Sequence, residues 1–169
     1  MNSIVLGGGC FWCLEATYQL VSGIEYVSPG YSGGEGEDPN YYNIQDHAEV
    51  VKLEFNEDDI KLGEILEIFW SIHDPTTINR QGNDIGSQYR SIILYKNSEQ
   101  LDVINNSLSI ANQLWNGKII TKIKKLNKFY EAEDYHRNYF MSHPEQAYCQ
   151  AVINPKLEKF RKKFAEKLK

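Results

Sequence analysis

Ser3-Ile4-Val5-Leu6-Gly7-Gly8-Gly9-Cys10-Phe11-Trp12-Cys13-Leu14 joins a short apolar run to a helical pattern through three glycines. Ser3 to Leu6 reads as a strand, and Leu14, Thr17, Tyr18 and Val21 recur at helical spacing. Cys10 is expected in the first turn of that helix, where unpaired N–H groups and the macrodipole favour an anion. A cysteine so placed ionises more readily, and the thiolate is the nucleophile. The glycines allow a tight turn and close approach of a substrate to the backbone. The alternative is a buried structural cysteine behind a plain glycine turn. The helix start, the flanking aromatics and the second cysteine weigh against it.

Further along, Ile24 to Tyr31 reads as a strand and Ser32 to Tyr42 as a Gly/Pro/Asn-rich loop. His47 to Phe55 alternates cleanly and is the clearest strand. Asp58 or Asp59 opens a helix carrying Ile65, Leu66, Phe69 and Ile72, which ends before Asp74-Pro75. A polar loop from Thr76 to Gln88 precedes a strand from Tyr89 to Tyr95. Ser98 caps a helix with Leu101, Ile104, Leu108 and Leu114, stopped by Asn116-Gly117. Ile119 to Lys124 reads as a strand, Tyr135 to Met141 as a short helix, and the stretch to Cys149 as irregular. Asn154-Pro155 caps a final helix over 155–168. With no repeat or linker, this order predicts one α+β domain over 1–169, helices packed on a mainly antiparallel sheet.

The chain has 169 residues, 41% hydrophobic and 24% charged, an ordinary balance for a globular protein that buries its own core. No run of about 18 apolar residues suggests a membrane span. The odd count of three cysteines, without a secretory signal pattern, argues for thiols used in chemistry in a reducing cytoplasm. The net charge of −5 is uneven: seven cations in Lys156–Lys169 face Glu158 and Glu166, so the rest of the chain carries −10. Leu157, Phe160, Phe164 and Leu168 stripe the basic segment, which reads as a docked amphipathic helix rather than a nucleic-acid or membrane arm.

On the strand at 47–55, Glu49 shares a face with Val51, Leu53 and Phe55. A carboxylate buried there is held neutral by desolvation, the state a general acid needs near neutral pH. A frayed strand end reaching solvent is the competing reading. Phe11 and Trp12 either pack as core or wall a pocket for a thioether methyl. Tyr41, Tyr42 and Tyr89 could donate hydrogen bonds to an oxygen gaining charge. The loop Gly82-Asn83-Asp84 delivers Asp84 or merely turns. Cys10 and Cys13 form a C-x-x-C pair. His47, His73, His136 and His143 lack any zinc-ligand spacing, so no metal is expected. The three glycines match neither a phosphate loop nor a dinucleotide motif.

Together these segments resemble the A-type peptide methionine sulfoxide reductase family. The matching motifs are Gly9-Cys10-Phe11-Trp12, Gly30-Tyr31-Ser32-Gly33-Gly34, Pro39-Asn40-Tyr41, His47-Ala48-Glu49, His73-Asp74-Pro75, Gln81-Gly82-Asn83-Asp84, Ser87-Gln88-Tyr89-Arg90 and Ala132-Glu133-Asp134-Tyr135-His136. The resemblance implies a ferredoxin-like plait and reduction of the S epimer of methionine sulfoxide, free or in proteins. It implies Cys10 as nucleophile, Glu49 as proton donor, and Tyr41, Tyr89 and Asp84 around the sulfoxide oxygen or its water. Phe11 and Trp12 would hold the S-methyl group. No bound cofactor is implied; thioredoxin, an external dithiol, would reset a disulfide, and a monomer is expected. Two departures stand out: Cys13 occupies a position where the family more often has Gly, and the family's glycine-rich tail with a further cysteine is replaced by Gln150-Ala151-Val152 and a helix. Cys149 still matches a recycling cysteine. Resolution could run through Cys149 or Cys13. Helical spacing separates the Cβ atoms of Cys10 and Cys13 by about 5–6 Å, too far for an unstrained disulfide, which favours Cys149. A general thiol-disulfide oxidoreductase and a non-catalytic module that binds oxidised methionine are the rival readings.

Overall fold

The computed structural model describes all 169 residues. In chain order the elements are β1 (Asn2–Gly7), α1 (Phe11–Tyr18), β2 (Ile24–Ser32), β3 (Ala48–Phe55), α2 (Leu62–Ile72), β4 (Arg80–Gln81), β5 (Asp84–Ile85), β6 (Ile92–Tyr95), α3 (Ser98–Leu114), β7 (Lys122–Lys125), β8 (Phe129–Glu131), α4 (Tyr139–Ser142) and α5 (Asn154–Lys163). Six strands form one mixed sheet in the order β7-β6-β1-β3-β2-β8, and β4 and β5 make a separate two-stranded hairpin. All pairings in the large sheet are antiparallel except β6 with β7. The fold is α+β. No helix is long and apolar enough to cross a membrane.

The alternation of β3 decides the layering. Val51, Leu53 and Phe55 lie in the main core with Leu14 and Tyr18 of α1 and Ile65 and Phe69 of α2. Ala48 and Val50 point the other way, into a small second cluster with Val5, Ile92 and Leu94, against which Leu126 and Phe129 pack. That face is therefore wet only at the Lys52 and Glu54 end, both of which remain partly exposed.

Several boundaries differ from the sequence expectations. The second helix begins at Leu62, because Asn56 folds its own turn (Asp59 N–H to Asn56 O, 2.9 Å) and Glu64 caps Lys61 (2.9 Å). Asn97, not Ser98, caps α3, accepting from Gln100 N–H at 2.9 Å. Tyr89 belongs to a 3-10 turn, Ser87–Tyr89, so β6 starts at Ile92. The strand expected from Ile119 starts at Lys122, where pairing with β6 begins; its lysines suit an edge. β8 was not anticipated: three residues paired only with β2 leave no periodic signal. The helix expected over Tyr135–Met141 is a 3-10 turn, Asp134–His136, and α4, separated at Asn138 with φ +56°.

The C-terminal segment docks as expected on its apolar stripe, with Leu157, Phe160 and Phe164 buried. Its α-helix stops at Lys163, and a 3-10 turn brings Leu168 into a bridge with Val21. Asn154 is no cap. A π-helical stretch, Cys149–Ile153, runs into α5 with helical backbone throughout.

Candidate active site

β1 delivers the Gly7–Gly9 turn, and α1 starts at Phe11. Gly9 has φ +90°, and its N–H donates to Tyr89 O at 3.2 Å, which pins the 3-10 turn carrying Tyr89 beside the helix start. Gly8 lies against the His73 ring, where an added Cβ would meet ring carbons at 2.8 and 2.9 Å. His73 is itself held by Phe69 O (2.6 Å) and Ser91 Oγ (2.7 Å), and burial lowers its pKa to about 4, so it serves as a neutral support.

Cys10 is the N-cap of α1, extended at φ −67° and ψ 132°, and not a residue of its first turn. Nor is it acidic. Burial pushes its thiol well up, and the neighbouring Cys13 and the Glu49 charge push the same way. An eight-residue helix does not outweigh that desolvation. Cys10 and Cys13 lie close enough for each thiol to shift the titration of the other. The partner gains what Cys10 loses: the neighbouring Cys10 lowers the Cys13 pKa against burial, helped by the Lys156 charge and Tyr148.

Glu49 is 2% exposed, on the apolar face of β3 as expected. One carboxylate oxygen accepts Phe11 N–H at 3.1 Å. Desolvation raises its pKa to about 8 despite that bond, with Asp84 and Cys13 adding to the shift. Tyr41 and Tyr89 are half-buried phenols facing this pair. Burial, then Glu49, then Cys10 push Tyr41 up to about 12 and Tyr89 higher still, so both stay protonated donors.

The loop between β2 and β3 holds Tyr41 in place. His47 accepts Gly34 N–H (3.0 Å) and donates to Gly36 O (2.7 Å), while Asp46 accepts the N–H groups of Glu35 and Gly36. Glu133 accepts Tyr41 N–H at 3.0 Å and the Tyr31 hydroxyl at 2.8 Å. Tyr42 instead points outward, 89% exposed.

Phe11 is fully buried, packed on Tyr31 and His136. Trp12 is the partly exposed wall, stacked on Tyr139 at 3.8 Å between centroids and 5° between planes. Its indole N–H donates to His136 Nδ1 at 3.0 Å. Buried Glu15 accepts Asn138 N–H at 2.9 Å, which seats α4 and hence Tyr139. Asp84 is engaged by the Tyr148 hydroxyl at 2.7 Å, and Tyr148 also reaches Cys13. Tyr139, Tyr148 and Glu15 were not assigned to the site from the sequence, and His136 was weighed there only as a metal ligand and as part of a family motif. Only the Ala132–His136 motif and the tyrosine next to Cys149 signalled them.

Cys149 is brought to the neighbourhood but is neither irregular nor accessible: it opens the π-helical stretch and is 0% exposed. Its thiol is pushed up by burial, then by Cys13. All three cysteines are free. No group of three or more His, Cys, Asp or Glu is arranged to hold a metal ion.

A buried thiol pair, a neutral carboxyl group, two phenol donors and an indole wall thus lie around the start of α1. The model of the family "Peptide methionine sulfoxide reductase" matches residues 2–168. A peptide methionine sulfoxide reductase MsrA from Leptospira borgpetersenii is 51% identical over 166 residues, covering 96% of this chain and 94% of the relative. The reduced form of Mxr1 from Saccharomyces cerevisiae superposes with a TM-score of 0.81 at 32% identity, covering 88% of each chain. Mxr1 in complex with Trx2 gives a TM-score of 0.59 at 26% identity, covering 82% of this chain and 84% of that one. By family model, near-full-length identity and fold, this chain belongs to the peptide methionine sulfoxide reductase family.

Proposed function

We propose that Cys10 attacks the sulfur of a methionine sulfoxide while Glu49 protonates its oxygen. The enzyme performs thiol-dependent reduction of methionine sulfoxide with thioredoxin recycling. One observation carries the assignment of roles: the Glu49 carboxyl, neutral to about pH 8, is tied by Phe11 N–H to the helix start that carries Cys10. A sulfoxide sulfur is a poor electrophile until its oxygen is protonated or strongly hydrogen-bonded. Neutral Glu49 and the phenols of Tyr41 and Tyr89 meet that need in a desolvated pocket. Trp12, backed by Phe11, receives the S-methyl group through sulfur–aromatic contact. Asp84, with Tyr148 on it, orients the far side of the substrate or its water.

The electron count closes. Cys10 thiol plus sulfoxide gives methionine and Cys10 sulfenic acid, with the oxygen moving from the substrate sulfur to Cys10. The neighbouring Cys13 sulfur is the acceptor for the resting Cys10 proton. The same proximity favours Cys13 as the first resolving thiol: its sulfur attacks the sulfenic sulfur, water leaves, and a Cys10–Cys13 disulfide forms. Cys149, fully buried, is not needed for this step.

The strand order β6-β1-β3-β2, with α1 joining β1 to β2 and α2 joining β3 to β6, supports the ferredoxin-like plait reading for the inner sheet. β7 and β8 extend it on either side. The continuous core supports a single domain over 1–169, and a site complete within one chain supports a working monomer. The odd count of three cysteines fits a reducing cytoplasm.

The test is loss of a peptidyl methionine S-sulfoxide driven by dithiothreitol, run beside the R epimer. Turnover of the S epimer alone is expected. Equal turnover of both epimers, or of a disulfide in place of either, contradicts the reading.

A further inference from the structure

A groove of about 980 Å³ runs between α2, α3 and α5 on a face of the molecule that none of the sulfoxide-pocket residues Cys10, Glu49, Tyr41, Tyr89 and Trp12 lines. One residue belongs to both places: Cys13, which lines the groove's inner end beside Gly8. Along one wall, α3 presents Val103, Ile110 and Leu114, at 38%, 58% and 82% exposure. They follow helical spacing, so an apolar stripe faces outward with nothing of this chain to cover it. The opposite wall is α5, whose exposed Lys156, Lys159 and Lys163 fall on one face of the helix and rim the groove. Lys156 lies close enough to favour the Cys13 thiolate.

We infer that this groove is the docking face of the dithiol reductant, a thioredoxin-type protein presenting an apolar and acidic surface around its reactive cysteine. Electrons enter at Cys13 from the groove, while the sulfoxide is bound at the opposite mouth. The inference rests on the reading of Cys13 as the resolving thiol. A partner protein fits better than a small thiol because the exposed stripe on α3 extends along the helix well away from Cys13, where a small thiol would leave it uncovered. The cationic rim selects an acidic partner and speeds its approach.

The exchange balances. A donor thiolate attacks Cys13 Sγ in the Cys10–Cys13 disulfide; that S–S bond breaks, Cys10 leaves as thiolate, and a donor–Cys13 disulfide forms. The donor's second thiol attacks the donor sulfur and releases Cys13 as thiolate. Two electrons and two protons pass from the donor, which ends as its own disulfide.

Two surface variants test the face: Lys159→Glu/Lys163→Glu and Ile110→Gln/Leu114→Gln. For each, kcat/KM for thioredoxin is measured with thioredoxin reductase and NADPH, beside turnover driven by dithiothreitol. The expected result is a loss of about tenfold toward thioredoxin, the scale of one interface anchor, with dithiothreitol turnover unchanged. The lysine effect should shrink at high salt. Thioredoxin with its second active-site cysteine replaced by serine should trap a mixed disulfide mapped to Cys13. Unchanged thioredoxin kinetics in both variants overturns the inference, as does a trapped disulfide on Cys149. So does an apolar variant that dissociates a dimer without altering thioredoxin use, which assigns the face to a second copy. Failure of the wild type with dithiothreitol would strike the proposed function instead.

Discussion

The carboxylate of Glu49 accepts the backbone N–H of Phe11 at 3.1 Å, which links the middle strand of the sheet to the first helical residue after Cys10. The bond lowers the carboxyl pKa, yet burial wins and leaves it at about 8. A neutral carboxyl group is thus fixed in position without being ionised by the contact that fixes it.

Glu49→Gln keeps hydrogen-bonding capacity and removes the transferable proton. The reduction step should slow by about 10²–10⁴-fold, the range for general acid catalysis. In the wild type the acid form is the active one, so single-turnover rates should hold through neutral pH and fall as pH rises past about 8. Stopped-flow methionine release across pH checks both.

The same shift has a stability consequence. Because folding raises this carboxyl pKa from 4.5 to about 8, the folded state holds a proton that the unfolded state releases between those values. This group's contribution therefore becomes less favourable as pH rises through that window, by up to about 1.4 kcal/mol per pH unit, and is level above it. Denaturant melts of wild type and Glu49→Gln should diverge with rising pH in favour of the variant.

Gly8→Ala should destabilise the fold by about 1–3 kcal/mol, the cost of overpacking a filled site. The added Cβ would sit 2.8 Å from a His73 carbon, and His73 is tied at both ring nitrogens. Urea unfolding measures it; a change within error would show that the ring yields.

Trp12→Leu should raise KM for the sulfoxide by about 2–10-fold, the worth of a sulfur–aromatic contact, with a smaller effect on single-turnover rate. The variant also frees Tyr139 from its stack and His136 from its donor. Steady-state kinetics separates the two parameters.

Legibility in the sequence followed the range of the interactions. The period-two pattern of β3 placed Glu49 on the buried face, and the glycine-to-helix junction located Cys10, because both are local signals. The protonation of Cys10 ran opposite to expectation, since burial and Glu49 come from elements distant in sequence. The helix also starts one residue later than its local pattern suggests, so Cys10 is the N-cap of α1 rather than a residue of its first turn. Cys149 looked irregular in sequence because a π-helical stretch has no pattern of its own; packing against the core sets it. Tyr148, Tyr139 and Glu15 join the site through tertiary contacts that no spacing announces.

The central claim is that Cys10 attacks and Cys13 resolves. One substrate equivalent is given to reduced wild type, Cys10→Ser, Cys13→Ser and Cys149→Ser without reductant, and released methionine, remaining thiols and sulfenic acid are counted. Methionine should be absent from Cys10→Ser alone. Cys149→Ser should lose two thiols to a Cys10–Cys13 disulfide, and Cys13→Ser should stall as a trappable sulfenic acid on Cys10. Methionine from Cys10→Ser, or a Cys13→Ser enzyme that closes a Cys10–Cys149 disulfide at the wild-type rate, would contradict it.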